Sequence, residues 1–232
     1  FSLFRDYVAT LMEYKKHFII IGNQNAITYK EIFPLLMKNK IWLGYCNGDM
    51  AFRVPSSYEE RETRFWIDET GQKWRSMGNI AWYTNLDIKK RHESLILVQR
   101  YTQEMFQTYD NYSAINIDKV VDIPCDYAGV MGVPITFMDK YSPDQFEIVG
   151  ITLGNTVDYE MSKLYVNAIQ HNKNGTTQGG SKVNTRAAIC VDTIPNNTVY
   201  YTAENSTGYL LSIYPRILVR NLNPEGVKTN AV

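Results

Sequence analysis

The stretch Phe18-Ile19-Ile20-Ile21-Gly22-Asn23 decides the fold class. It is short, continuously apolar and rich in β-branched side chains, and it stops at a glycine and an asparagine. A run of that kind suits a parallel strand buried on both faces. Upstream, Leu3, Phe4, Tyr7, Val8, Leu11 and Met12 recur at helical spacing, with Arg5, Asp6 and Glu13 off the stripe. Lys15-Lys16-His17 closes that helix with positive charge, where the dipole favours it. Downstream, Thr28-Tyr29-Lys30-Glu31 matches a capping box and opens a second helix carrying Ile32, Phe33, Leu35, Leu36 and Met37. Pro34 inside it should kink or shorten it. Ile41-Trp42-Leu43-Gly44-Tyr45 is the next strand. Helix, strand, helix, strand is half of an α/β wound sheet.

Farther along, the rhythm changes. Residues 47–79 are charged, aromatic and irregular, and Ile80-Ala81-Trp82-Tyr83-Thr84 is a further strand. Residues 101–135 are rich in turn signals, among them Asp122-Ile123-Pro124 and Gly129-Val130-Met131-Gly132-Val133-Pro134. Two glycines three apart before a proline specify a tight backbone path. Ser142-Pro143-Asp144-Gln145-Phe146 reads as a helix start with Pro at the first position. Residues 171–181 are the most loop-like stretch, and Ile217-Leu218-Val219 offers a last strand.

At 232 residues the chain can bury a sizeable core, as one large domain or two small ones. With 44% hydrophobic and 21% charged residues, its composition is that of a soluble globular protein. The 17 Tyr suit strands and core edges, and in such numbers also a surface that binds something flat or polar. A net charge of zero argues against a nucleic-acid binder in bulk and leaves the local distribution to decide. Cys46, Cys125 and Cys190 stand far apart and cannot pair off evenly, which reads as free thiols in a reducing cytoplasm. His17, His92 and His171 share no ligand spacing with them, so no metal site is expected. No apolar run approaches the ~18–20 residues of a membrane span. The chain opens on Phe rather than Met and has no signal peptide, so it reads as a fragment or a processed product.

Longer words narrow the function. They are Phe1-Ser2-Leu3-Phe4-Arg5, the strand 18–23, Ala26-Ile27-Thr28-Tyr29-Lys30-Glu31-Ile32-Phe33, and Trp82-Tyr83-Thr84-Asn85-Leu86-Asp87. Tyr109-Asp110-Asn111-Tyr112, Ala114-Ile115-Asn116, Asp122-Ile123-Pro124 and the longest, 129–137, follow in order. Together they resemble the EcoRI-type adenine-specific DNA methyltransferases. The resemblance covers roughly residues 1–150 and resumes weakly at 214–220. It implies an α/β fold: part of a Rossmann-like S-adenosylmethionine-dependent methyltransferase sheet, plus an irregular α+β recognition region. The division expected is 1–100 for the C-terminal half of the methyltransferase domain and 101–232 for a mixed region with DNA-recognition elements.

In that family the first helix follows an Asn-Pro-Pro-Phe motif directly. Phe1 then falls on the aromatic position, and the Asn and both Pro are expected just before it. The glycine-rich turn and acidic residue that hold S-adenosyl-L-methionine are expected upstream as well. The amino group of adenine is a poor nucleophile buried in the duplex stack, so such an enzyme flips the base out. The family's Asn side chain and a Pro carbonyl draw the nitrogen toward attack, and the aromatic residue stacks on the ring. Positioning supplies most of the help. Phe1 is the catalytic candidate here, against the alternative of an untethered chain end. Asn23 and Asn25 stand at the carboxyl end of the first strand, where α/β sheets bind ligands; they line the adenine or cofactor pocket or are plain turn asparagines.

Two features could grip double-stranded DNA. Lys89-Lys90-Arg91-His92, joined by Arg100, is either a phosphate-contacting cluster or a solvated charged turn. Between Glu160 and Asp192 there is no acidic residue, while Lys163, Lys173, Lys182 and Arg186 remain. An acid-free polar segment can approach a polyanion without repulsion, so 165–186 is either a target-recognition segment or a surface insertion. The stretch 129–134 is either rigid backbone near a sheet edge or backbone packed close to DNA.

The expected activity is site-specific adenine-N6 methylation of DNA in a bacterial, cytoplasmic restriction–modification system. This fragment alone is expected to be inactive on that reading, and the alternative is a DNA-binding fragment without catalysis, because the cofactor-binding half is absent. Without neighbouring strands, Phe18–Ile21 would also be an exposed sheet edge and invite self-association.

Overall fold

The helical stripe near the amino end is α1 (Phe4–Glu13), anchored by the buried Phe4 and Val8. This is a computed structural model, and it describes residues 3–154 and 159–226. The Phe18–Asn23 stretch gives β1 (Ile19–Asn23). A 3-10 turn over Gln24–Thr28 and α2 (Phe33–Met37) come next. The capping box does not form, since α2 has Ile32 at its N-cap with no side-chain bond. Proline explains it. A helix opening at Tyr29 would place Pro34 in its interior, where the missing N–H costs a bond and the ring strikes a carbonyl. With α2 opening at Phe33, Pro34 falls in the first turn, where no N–H is needed.

β2 (Trp42–Arg53), β3 (Phe65–Ile67) and β4 (Lys73–Thr84) complete a four-stranded sheet, ordered β1-β4-β2 with β3 also on β4. The expectation of a parallel, doubly buried strand needs correction: β1 pairs with β4 antiparallel, and Ile19 is 60% exposed. The connection sets this. β4 returns from β2 antiparallel and lies between β2 and β1. β1 and β2 therefore run parallel, but one strand apart. Gly22 admits the edge of the Phe4 ring, which lies 4.9 Å from Tyr83 between centroids.

Residues 47–79, expected to be irregular, form much of an extended ribbon. Trp66 pairs with Trp74 across β3 and β4, their rings stacked at 6.1 Å, and the Arg53 guanidinium lies 5.3 Å from the Trp74 ring. Register shifts between Leu43 and Asn47 and between Gly48 and Met50 break the two-residue alternation that marks a strand in sequence. At the β3–β4 turn, hydrogen bonds from the Thr70 hydroxyl and then the Trp74 indole hold the Asp68 carboxyl down to about 2.

The contacts divide the chain into two units, Phe1–Arg91 and His92–Val232. The second holds two sheets. In one, β5 (Ile115–Asn116), β6 (Val130–Pro134) and β7 (Phe146–Ile151) join β13 (Arg216–Asn221) in the order β5-β6-β13-β7. The glycine-bearing stretch 129–134 is thus chiefly β6, buried inside a sheet rather than rigid backbone at its edge. The absent side chain of Gly132 leaves room for the ring of Tyr109, whose hydroxyl donates to Asn116 Oδ1 at 2.8 Å. Ser142-Pro143 starts no helix: the amides of Gln145 and Phe146 both bond the Ser142 carbonyl, and β7 begins at once. Alternate burial of Phe146, Ile148 and Gly150 favours the strand period over the helical one.

The other sheet contains β8 (Ile169–His171), β9 (Thr177–Gly179), β10 (Ala188–Val191), β11 (Tyr200–Thr202) and β12 (Tyr209–Ser212), ordered β10-β12-β11-β8-β9. The loop-like 171–181 is mostly the β8–β9 hairpin. Ile189 of β10 packs with Val130, Leu218, Tyr109 and Tyr112, so one core joins both sheets of this unit. The fold is mixed α/β, with several sheets and few helices.

Candidate nucleic-acid interface

The acid-free segment folds around the second sheet of the His92–Val232 unit. Asn172 and Gly175 close the β8–β9 turn, Gly175 at φ +81°, and this turn carries Lys173. Gly180 then bends the chain into a 3-10 turn over Ser181–Thr185. A Cβ at Gly180 would lie 2.6 Å from the Ala168 carbonyl carbon, so only glycine lets the two backbones meet. Val183 buries into a core with Tyr165, Ala188, Tyr201 and Leu210, which holds the backbone of the turn that carries Lys182.

Two asparagine amides lock this turn. Asn184 accepts from the Tyr165 amide at 2.8 Å and donates to the Tyr165 carbonyl at 2.9 Å. Asn111, fully buried, donates to the Arg186 carbonyl and accepts from the Ala188 amide, both at 2.8 Å. The backbone at Arg186 is thereby set before any ligand arrives.

Lys173, Lys182 and Arg186 converge on one cavity of about 530 Å³. Gln170 and Tyr201, cross-strand partners in β8 and β11, form part of its wall on one face of the sheet. Val199 and Tyr214 add apolar and aromatic surface. No carboxylate lines the cavity among the described residues, and none of its three cations forms an ion pair there. Burial pushes the Tyr201 phenol up, which the nearby Arg186 partly offsets, and its hydroxyl donates to Gln170 Oε1 at 3.0 Å. Three positive charges beside aromatic walls, with no carboxylate against them among the described residues, can hold an anion that carries a flat group. Lys163, the fourth base of the segment, lies 2.9 Å from Asp110 Oδ2, which also accepts from the Tyr165 hydroxyl.

The run 89–92 is arranged differently. Lys89–His92 is a short 3-10 turn. Lys89 is exposed. Lys90 donates to the carbonyls of Gly44 and Tyr45. Arg91 lies 3.9 Å from the centre of the Trp42 ring and 3.9 Å from Asp87, with 13% of its side chain exposed. His92 meets Asp144 at 2.8 Å. Arg100 pairs with Asp126 and Glu225.

Asn23 and Asn25 do lie at the carboxyl end of β1. The Asn23 side chain caps the following turn by accepting from the Asn25 amide at 2.8 Å, while Asn25 is exposed. Phe1 lies outside the described residues. Tyr201, Val199 and Gln170 were not singled out in the sequence, and Tyr214 only as the start of the resumed resemblance at 214–220. Only the surplus of Tyr pointed their way, because their convergence depends on strand register.

A family profile described as adenine-specific methyltransferase EcoRI matches residues 1–221. Type II methyltransferase M.EcoRI of Escherichia coli is 49% identical over 158 residues, which cover 66% of this chain and 48% of the relative. Type II methyltransferase M.MpnI of Mycoplasma pneumoniae is 36% identical over 155 residues, covering 64% and 48%. Type II methyltransferase M.MgeORF184P of Mycoplasma genitalium is 35% identical over 156 residues, covering 64% and 49%. The chain thus spans about half the length of the curated relatives it matches. No solved structure matches it. On the extent of the profile match, the chain belongs to the EcoRI family of adenine-specific methyltransferases.

Proposed function

We propose that the protein is a site-specific DNA adenine-N6 methyltransferase of a restriction–modification system, moving a methyl group from S-adenosylmethionine to an adenine flipped out of duplex DNA. Family membership across residues 1–221 carries this reading. The type II methyltransferase names of the relatives support it. So does the mixed sheet of the Phe1–Arg91 unit, in which β1 and β2 run parallel on either side of the antiparallel β4, since mixed sheets are common in α/β folds. On this reading the sheet of the Phe1–Arg91 unit belongs to a Rossmann-like methyltransferase domain, and the rest of the chain recognises DNA.

Phe1 is the residue assigned to stacking on the flipped adenine. Asn25, with Asn23 behind it as a cap, is assigned to the rim of the same pocket. Lys173, Lys182 and Arg186 are assigned to DNA phosphates. Within 89–92 the exposed Lys89 is the best placed for phosphate contact; Lys90, Arg91 and His92 already hold local partners. S-adenosylmethionine supplies the methyl group when bound. Among the described residues no strand runs into a glycine-rich turn followed by a helix, the cradle such cofactors use. None of the described residues is therefore assigned to the cofactor.

The β1 edge, with Ile19 exposed, is a surface for self-association. No helix among the described residues is long and apolar enough to cross a membrane. Incubating the protein with duplex DNA and methyl-labelled cofactor, then digesting to nucleosides, tests the transfer, which reads out as label in N6-methyldeoxyadenosine. DNA binding with no labelled adenine would favour the second reading, recognition without transfer, which the cleft supports because its lining comes from the His92–Val232 unit alone.

A further inference from the structure

Phosphate contact by itself needs only cations on an open surface. The cleft in the His92–Val232 unit offers more. Its volume of about 530 Å³ falls in the range of small-molecule sites. Tyr214 lines it with 79% of the residue exposed and with no other ring stacked on it among the described residues. Pro215 follows directly and confines the Tyr214 backbone to extended conformations, which narrows the directions from which its ring can meet a ligand. Lys173, Lys182 and Arg186 stand on the same cavity, without an ion pair among the described residues. Cations beside an aromatic face are the arrangement that holds an unstacked nucleotide, with the phosphate on the cations and the base on the ring.

We infer that this cleft takes one unstacked nucleotide, its base against Tyr214 and its phosphate on Lys182 and Arg186. The inference rests on the DNA-binding reading above and adds a pocket to it. The nucleotide can come from a DNA strand or be free in solution, and the two sources are separable. Affinity is measured for a matched duplex, for the same duplex with one unpaired dA bulge, and for dAMP, using the full chain and the variants Tyr214→Ala, Tyr214→Phe and Lys182→Ala/Arg186→Ala.

For a strand nucleotide, the bulged duplex binds about tenfold tighter than the matched one, within the range a base–aromatic stack supplies. Tyr214→Phe keeps that preference, Tyr214→Ala abolishes it while matched-duplex binding stays within about twofold, and Lys182→Ala/Arg186→Ala weakens both. For a free nucleotide, dAMP binding depends on Tyr214 while the two duplexes bind alike. If Tyr214→Ala changes no arm, the pocket is overturned and the DNA-binding reading stands. If no DNA binds at any salt concentration, that reading itself fails.

Discussion

Lys89-Lys90-Arg91-His92 concentrates basic side chains in consecutive residues, whereas Lys173, Lys182 and Arg186 are spread along a hairpin turn and the 3-10 turn after it. The dense run looks like the stronger polyanion site in sequence. In the structure Arg91 lies on Trp42 near Asp87, Lys90 is held by two carbonyls, and His92 meets Asp144. The dispersed three meet at one cavity that no carboxylate lines among the described residues. A positive side chain is available to a ligand only where the fold offers it no acceptor of its own. The acid-free composition of 161–191 removes acceptors within the segment only: Lys163, in the same stretch, pairs with Asp110 from outside it.

The largest expected effect tests this contrast directly. Replacing Lys173, Lys182 and Arg186 together by Ala should lower affinity for duplex DNA by about 100-fold at low salt. It should also flatten the dependence of log K on log salt by about 2.7, at ~0.9 per phosphate contact. Lys90→Ala should leave that slope unchanged, and Lys89→Ala should change it by at most ~0.9. Binding titrations across a salt series read all three. A slope change for Lys90→Ala as large as for the triple variant would break the comparison.

Arg91 comes next. Its guanidinium stacks on Trp42 with little exposure, so Arg91→Ala should cost about 2 kcal/mol of stability, the scale of a desolvated cation–π contact. Urea unfolding measures it. The salt slope of DNA binding should stay at the wild-type value, because the side chain acts inside the fold. A stable variant with a flatter slope would return Arg91 to the phosphate-binding group.

What the sequence made legible follows from the range of each interaction. α1 and β1 depend on local periodicity, and both stand where the spacing puts them. The antiparallel setting of β1 depends on β4, about sixty residues later, which no window around Ile19–Ile21 contains. The ribbon 47–79 was hidden because bulges at Leu43/Asn47 and Gly48/Met50 interrupt its alternation and its apolar contacts are ring pairs such as Trp66–Trp74. For the cleft, the basic members were legible, since an absence of Asp and Glu can be counted along the chain. Tyr201 and Gln170 were not, because they meet only through β8–β11 register. Asn111 was conspicuous as part of a family word, yet its clamp on Arg186 and Ala188 is a tertiary fact.

The smallest effect is the most discriminating, because it converts one kind of charge into the other. Lys163 belongs to the acid-free segment yet resembles the 89–92 run in holding a partner, Asp110, at 2.9 Å. Asp110→Asn keeps an acceptor for the Tyr165 hydroxyl, which bonds the same oxygen, and removes the charge that holds Lys163. If pairing is what separates the two groups, the freed lysine adds one cation to the segment's free ones. The salt slope then steepens by up to ~0.9, with affinity rising a few-fold at low salt. Tyr165→Phe is the control, since it deletes the neighbouring hydrogen bond and leaves the Lys163–Asp110 pair in place; its slope should match the wild type. Equal slopes in all three proteins would mean that Lys163 lies beyond the reach of DNA, and that position along the segment, rather than freedom from a partner, selects the binding cations.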